Sequence, residues 1–501
     1  MSKKKPPIGL LNTASSLLLQ FVTIANGFII PRIVLSTFGS ETNGLISSLS
    51  QFLNYITLLE GGVNSVIMAS LYAPLAKGDH AKVSSIIKTS SRFFRRISAI
   101  FMLYTAALSV LYPILSHSDF SFSFVCTLTF ILSLKLFSQY CFSLSYQNLL
   151  NASKRGYIIS LSKILLIVLD VFAVLIITHV NPNIHLLEIV SALIYFIQPT
   201  IFNFAVKKFF KIDKKAKYDN ALIKNRWDGF AINIAYFIHT NTDITLLTIF
   251  TNLQTISVYS VYALVSNGLS KIINSITAAI APSIGNLYAL GDKKELNKKF
   301  DLYEYITFIL VFVFFSIGAL LITPFVMLYT HNVNDANYSQ PVFGVILLLS
   351  EAIYALSGPY INLSYSANKF KEISKYAYVE TILNVLISVA LVHKLGLIGI
   401  AIGTFIAITY RTIMHIVYLR KNILQRPLHK FIKRFASLFI PVSIATVALA
   451  FLLPVTDISI LSWLTHAAIY SLVIGVVILI VSVTYFKNDL KNLKTYLKHR
   501  H

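Results

Sequence analysis

The chain has 501 residues, of which 56% are hydrophobic and 13% are charged, and its formal net charge is +23. Soluble domains carry about 25% charged residues, so a soluble protein this apolar could not cover its own surface. The composition favours a membrane protein. It disfavours nucleic-acid binding, because basic loops between apolar segments are the usual orienting signal of membrane proteins.

Apolar segments, each long enough for the roughly 20 residues that cross a hydrocarbon core, occupy most of the chain. We predict an all-α, polytopic membrane protein of about fourteen transmembrane helices. The expected spans lie near 10–36, 43–72, 94–115, 122–148, 157–179, 186–206, 229–250, 256–286, 303–330, 340–366, 376–394, 396–419, 434–454 and 463–486. Continuous apolar runs such as 308–322 argue against the alternating strands of a β-barrel.

Lys and Arg residues cluster in every second connection between these spans. The clusters occupy 3–5, 77–96, 154–155, 207–226, 293–299, 369–375, 420–434 and the C-terminal tail. On the other side of the membrane we expect Lys394 alone. The positive-inside rule therefore predicts cytoplasmic N and C termini, and we expect a multi-pass protein of a bacterial plasma membrane.

The chain also resembles itself at an offset near 213 residues. ASLYAPLAKGD (69–79) aligns with PSIGNLYALGD (282–292), and NASKR (151–155) aligns with SANKF (366–370). We predict two pseudo-symmetric six-helix lobes plus two C-terminal helices, an arrangement typical of transporters. The expected domains are an N-lobe at 1–206, a basic cytoplasmic linker at 207–228, a C-lobe at 229–420, and 421–501 with the last two spans and a basic tail.

Motifs for nucleotide or metal chemistry are missing from the sequence. It has no G-x-x-x-x-G-K, no G-x-G-x-x-G, no D-x-D pair and no Cys/His cluster, and its connections are short. We therefore expect no enzyme activity, no cofactor and no metal. Uphill or rapid transport would draw on an ion gradient, of protons or sodium, or on removal of the product outside.

Five segments carry a family resemblance: IPRIVLSTFGSETNGL (30–45), LLEGGVNSVIMASL (58–71), NTDITLLTIFTNLQTISVYSVYALV (241–265), IAPSIGNLYALGD (280–292) and LGLIGIAIGTFIA (395–407). In order and spacing they resemble the Wzx-type polysaccharide flippases of the multidrug/oligosaccharidyl-lipid/polysaccharide exporter superfamily. The resemblance implies a flippase that moves undecaprenyl-diphosphate-linked oligosaccharides from the inner to the outer leaflet by alternating access, for capsule, exopolysaccharide or O-antigen synthesis. The implied partners are that glycan lipid, membrane lipids, a glycan polymerase and export machinery.

Other functions remain open at this point. A lipid II flippase also has fourteen spans, whereas cation-coupled multidrug exporters of the same superfamily usually have twelve. A membrane-embedded polymerase or ligase is disfavoured because the outer loops are short.

Ionisable residues inside spans are costly, and they usually face a cavity or one another. We expect the substrate cavity to contain Arg32, Glu60, Lys135, Asp170, Asp243, Lys271, Glu351 and Arg411. The alternative is a static ion pair between helices. For Arg32, Lys163, Glu188 and Glu380, which lie nearer the membrane interfaces, extension of the side chain to headgroups is the simpler interpretation.

Two charge pairs are of mechanistic interest. Glu60 and Lys271 occupy nearly equivalent positions in the two repeats, so they could pair in one transport state and separate in the other. His239 precedes Asp243 by four residues and shares its helix face, which suggests a cation-coupling site. A satisfied polar pair is the alternative for His239 and Asp243.

Overall fold

The protein is described by a computed structural model that covers residues 8–60, 63–116, 118–213, 215–219, 241–278, 280–367, 369–487 and 489–491. These residues form helices and connecting turns without strands, which confirms the all-α prediction. Twelve helical segments among them are long and apolar enough to cross a membrane. The first, Ile8–Glu60, bends at Gly39 and covers the expected first span and the start of the second. The expected span 229–250 lies largely outside the described residues.

The chain divides into two compact units. Unit 1 comprises Met1–Phe237 and Thr251–Ser257, and unit 2 comprises Ile238–Phe250 and Val258–His501. The expected linker stays a prediction, because much of 207–228 lies outside the described residues.

Unit 1 is built on helices that pack side by side through apolar faces. The long first helix packs along the seventh, the fourth packs along the fifth, and the eighth contacts both the fifth and the seventh. A π-helical turn, Gln139–Ser143, joins the fifth and sixth helices. The helices are α1 Ile8–Asn54, α2 Thr57–Glu60, α3 Val63–Lys77, α4 His80–Leu115, α5 Phe122–Ser138, α6 Leu144–Ala152, α7 Gly156–Val180, α8 Ile184–Tyr195 and α9 Ile197–Phe209.

Residues 241–250 are helical, and the helix that follows them, α10, crosses the boundary between the units at Ser257. A π-helical turn, Arg420–Leu424, ends the sixteenth helix. The remaining helices are α10 Leu253–Thr277, α11 Ala281–Ala289, α12 Lys293–Tyr329, α13 Pro341–Leu356, α14 Gly358–Ser366, α15 Phe370–Leu395, α16 Leu397–Leu419, α17 His429–Leu452 and α18 Ile460–Tyr485.

Within unit 2, α15 and α16 pack closely along their length. Gly399 and Gly403 make this possible, because a Cβ on either residue would overlap atoms of Leu391 or Ser388 on α15. Small residues at such positions let two helix backbones approach each other. The last two helices, α17 and α18, pack on each other and on α12.

The same type of turn occurs once in each repeat. Gly78 and Gly291 have positive φ angles of 69° and 73°, and the residues that follow them, Asp79 and Asp292, cap α4 and α12. The expected third and ninth spans begin at 94 and 303, but the helices begin at His80 and Lys293. These side-chain caps satisfy backbone N–H groups and let each helix start in the polar segment before the apolar one.

Candidate functional site

A charged cluster lies inside unit 1 between α5, α7 and α8. Nζ of Lys135 lies 2.8 Å from Oε2 of Glu188. Asp170 is buried and interacts electrostatically with Lys135, and the ring centroid of Tyr195 lies 5.8 Å from Nζ of Lys135. Two expected cavity residues, Lys135 and Asp170, therefore share one cluster, and Glu188 is buried there instead of reaching a headgroup.

Glu60 takes part in a polar network within unit 1. The hydroxyl of Tyr140 donates to one carboxylate oxygen of Glu60, and Nδ2 of Asn64 donates to the other at 2.6 Å. Nδ2 of Asn148 donates in turn to Oδ1 of Asn64 at 2.9 Å. Both carboxylate oxygens are engaged, so a pairing of Glu60 with Lys271 would compete with these neutral donors, and that pairing stays a prediction.

Asp243 lies in a buried polar cluster of unit 2. Its Oδ2 accepts a hydrogen bond from Tyr259 at 3.0 Å, and its Oδ1 accepts one from Thr404 at 2.9 Å. Hydroxyl donors on both oxygens stabilise the carboxylate. His239, the expected partner, lies outside the described residues, so cation coupling at His239 and Asp243 stays a prediction.

Arg411 forms a buried ion pair between α16 and α15. Its Nη1 lies 2.7 Å from Oε2 of Glu380, a residue that is also buried and does not extend to a headgroup. Glu351 on α13 accepts a hydrogen bond from Ser270 on α10 at 2.9 Å. By contrast, the side chain of Lys271 on α10 is exposed.

Arg32 is half-buried on α1, directly after Pro31. The eight expected cavity residues therefore have unlike environments. Lys135 and Arg411 each have a carboxylate partner within their own unit, so less of their charge is available to a substrate. The place of all eight residues in a substrate cavity stays a prediction.

A second charged network in unit 2 was not expected from the sequence. The carboxylate of Glu304, 1% exposed, accepts hydrogen bonds from Arg420 at 2.8 Å, from Arg434 at 2.6 Å and from the hydroxyl of Tyr360. Arg434 also donates to Asp489 at 2.9 Å. This network holds α12, α14, α17 and the start of the C-terminal tail together.

The same network contains Asp301 and Arg426, which form an ion pair. Asp489 lies beyond the last span, and burial raises the pKa of its carboxyl although Arg434 opposes the shift. Desolvation thus makes ionised Asp489 depend on Arg434.

The network corrects one interpretation of the sequence. The cations in 420–434 were expected to be loop charges, but the side chains of Arg420, Arg426 and Arg434 are only 2%, 6% and 11% exposed. They are buried because Asp301 and Glu304, one turn apart on α12, face them. The acidic pair at the start of an otherwise apolar span was the available signal, since buried acids need cationic partners.

Among the described residues, no group of three or more His, Cys, Asp or Glu side chains could hold a metal ion. The sites described so far are ion pairs and hydrogen-bonded carboxylates between helices. Such sites can bind charged groups or bias helix packing.

No protein-family model and no curated protein sequence matches the chain. Solved structures do match it. The structure of the lipid II flippase MurJ in an inward closed conformation matches with a TM-score of 0.72 and 14% identity. The match covers 96% of this chain and 99% of that one. An inward-facing multidrug resistance MATE transporter of the MOP superfamily has a TM-score of 0.62 and 14% identity, with 83% of this chain and 98% of that one covered.

A eukaryotic MATE transporter matches with a TM-score of 0.59 and 14% identity, over 82% of this chain and 96% of that one. The chain has a fold like that of MurJ and the MATE transporters. At this level of identity the likeness concerns the fold alone. The MurJ match covers a larger share of this chain than either of these two MATE matches.

Proposed function

We propose that the protein is a flippase for undecaprenyl-diphosphate-linked oligosaccharides in a bacterial plasma membrane, and not an enzyme. One observation carries the proposal. The MurJ match covers 96% of this chain, and so extends over most of α17 and α18, whereas the two MATE matches cover 82–83%. A fold shared over nearly its full length with a lipid flippase favours a lipid-linked substrate over a free drug.

The cations within the spans support the same proposal. Lys135, Lys271 and Arg411 would suit a diphosphate, and Lys271 is the exposed one of the three. Lys271→Ala should therefore lower export more than Lys163→Ala, because the half-buried Lys163 can extend toward an interface. Equal effects of the two variants in a complementation assay would remove Lys271 from the substrate path.

The decisive experiment is deletion of the gene in its host. Undecaprenyl-linked glycans should then accumulate on the inner leaflet, and plasmid-borne wild type should restore their export. Identification of the accumulated sugars would define the substrate. Normal glycan export in the deletion strain would contradict the proposal.

A lipid II flippase is the second candidate, and the MurJ likeness favours it specifically. It would rescue growth of a bacterium depleted of its own lipid II flippase. Rescue of growth, without any effect of the deletion on other glycans, would replace the first proposal with the second. A cation-coupled drug exporter would instead confer drug resistance dependent on a proton or sodium gradient.

The direction of transport depends on topology, which we propose as cytoplasmic N and C termini. The test is cysteine labelling in a background where Cys126 and Cys141 are replaced by Ser. Cysteines at the exposed Asn183 and Asn334 should react with an impermeant thiol reagent in whole cells, and one at the exposed Lys211 should not. The reverse pattern would invert the proposed direction.

A further inference from the structure

Two adjoining cavities open beside α4 in unit 1. Their volumes are about 260 and 670 Å³, and they share the side chains of Ser91, Arg95 and Tyr146. The smaller cavity extends to α9 at Asn203, and the larger extends to the segment after α9 at Tyr218. Together they form one site along α4, which we call the α4 cavity.

The α4 cavity is strongly basic. Lys88, Arg92, Arg95 and Arg96 of α4 line its larger part, and at this spacing they lie on one face of the helix. The acidic side chain in the lining is Asp213, whose Oδ1 accepts a hydrogen bond from the backbone N–H of Lys215. The salt bridges found across the described ranges do not include these four cations.

Two of the cations are held in place by the segment that follows α9. The guanidinium of Arg92 lies 3.4 Å from the ring centroid of Tyr218, and Nζ of Lys88 lies 4.8 Å from it. Nζ of Lys88 also donates to the carbonyl of Ala216 at 2.9 Å. Cations fixed in this way lose less conformational entropy when they bind an anion.

The sequence of α4 indicates where the α4 cavity lies relative to the hydrocarbon core of the membrane. The stretch from Ile97 to Leu115 contains no Asp, Glu, Lys or Arg, and it measures about 28 Å at 1.5 Å per residue. This is close to the thickness of a bilayer's hydrocarbon core. Arg95 and Arg96 therefore lie where the hydrocarbon ends and the headgroups begin.

The repeat in unit 2 shows what the same helix face does when protein covers it. At the offset of 213 residues, Ser91 corresponds to Glu304 and Arg95 corresponds to Phe308. Glu304 binds Arg434, and the ring of Phe308 packs on Phe431 at 5.5 Å between centroids, both partners being on α17. In unit 1 the corresponding face carries cations and lines a cavity.

We propose that the α4 cavity binds the phosphate group of a lipid headgroup. Guanidinium groups match phosphate oxygens with paired hydrogen bonds, and the hydroxyls of Ser91 and Tyr146 add neutral donors. Phe142 and Pro199 provide apolar contacts for the lipid's hydrocarbon. A membrane phospholipid and a polyprenyl diphosphate carry the same recognised chemistry, so the site does not depend on which lipid is transported.

Native mass spectrometry of the detergent-solubilised full-length protein tests the proposal. It is titrated separately with phosphatidylglycerol, with undecaprenyl diphosphate and with inorganic pyrophosphate. The wild type should bind at least one of the two lipids, and Arg92→Gln with Arg95→Gln should weaken that binding about tenfold or more. Lys207→Gln is the matched control, because Lys207 is an exposed cation on α9 that does not line the cavity.

A second pair of variants removes no cation. Ser91→Glu places a carboxylate beside Arg92 and Arg95, as Glu304 does for its arginines, and should weaken lipid binding similarly. Ser91→Gln, of similar size but neutral, should not. Binding of pyrophosphate alone, or lipid binding unchanged in both Ser91→Glu and the double arginine variant, would overturn the proposal. Glycan export in the deletion strain is a separate measurement, so failure here leaves the proposed function standing.

Discussion

Helices α4 and α12 begin with the same turn and then differ in the residues that follow along one helix face. Val83 and Ile87 of α4 correspond to Leu296 and Phe300 of α12, and all four are buried. One and two turns further along the same face, α12 carries the buried Glu304, which arginines from other segments neutralise, and the buried Phe308. The corresponding residues of α4, Ser91 and Arg95, line a cavity. The first turns thus follow the apolar requirement of each unit, and the later turns follow what covers them.

The covering helices account for the difference. In unit 2, α17 packs on α12 through edge-on and tilted aromatic rings, including Phe312 with Phe435 at 5.8 Å, and Arg434 of α17 binds Glu304. A carboxylate on α12 can be buried because that arginine comes with the covering helix. Removal of either charge should therefore be costly in unit 2.

The largest effect is expected for Glu304→Gln. It leaves the buried Arg420 and Arg434 without their shared carboxylate, and breaking a buried pair from one side costs about 3–5 kcal/mol. Thermal unfolding in detergent should show a large fall in midpoint. The control is Glu295→Gln on the same helix, where the side chain is 45% exposed and lies 3.8 Å from Lys298, and should change little.

If Glu304→Gln fails to fold, a compensating variant still tests the network. Arg420→Gln added to Glu304→Gln should recover part of the loss, because the double variant removes the buried cation that Glu304→Gln leaves unpaired, while Arg434 retains Asp489. Equal midpoints for wild type and Glu304→Gln would show that the network does not stabilise unit 2.

The sequence predicted the helices and the repeat better than it predicted the partners of the charges. Span positions follow from apolar length, and the shared turn was visible as the Gly-Asp pairs at 78–79 and 291–292. Partners such as Lys135 with Glu188 are far apart in the sequence and depend on how two helices rotate against each other. Arg420 was assigned to a loop, but it opens a π-helical turn that continues α16.

A smaller effect is expected where unit 2 relies on close helix packing instead of charge. In Gly403→Ala the new Cβ would lie 2.9 Å from the backbone N of Ser388 and overlap its hydroxyl, so α15 and α16 must separate. Overpacking of this kind costs about 1–3 kcal/mol. Gly475→Ala on α18 is the control, because its Cβ would meet nothing within 4 Å.

The two glycine variants should change the free energy of unfolding in opposite directions. An alanine that fits a helix gains up to about 1 kcal/mol over glycine, so Gly475→Ala should be neutral or stabilising in the same unfolding assay. A stabilising Gly403→Ala would mean that α15 and α16 are not held at this distance.

The smallest effect concerns the turn that both repeats share. Asp79 accepts a hydrogen bond from the backbone N–H of Lys82 at 2.9 Å, and Asp292 accepts one from Glu295 at 3.0 Å. Their φ and ψ angles, −78° and 84° against −79° and 86°, are nearly the same. Asp79→Ala and Asp292→Ala should therefore each cost about 1 kcal/mol locally, whatever covers the helix beyond the cap.

Hydrogen exchange at the amides of Lys82 and Glu295 measures this cost directly, since each amide loses its acceptor when the cap is removed. Both should exchange faster by a similar factor, while Asp79→Asn and Asp292→Asn, which preserve a side-chain acceptor, should stay near wild type. A much larger loss of protection for Asp292→Ala alone would mean that the turn in unit 2 is coupled to the Glu304 network. The likeness of the two turns would then be geometric only, because the covering helices would determine stability even at the first turn of α12.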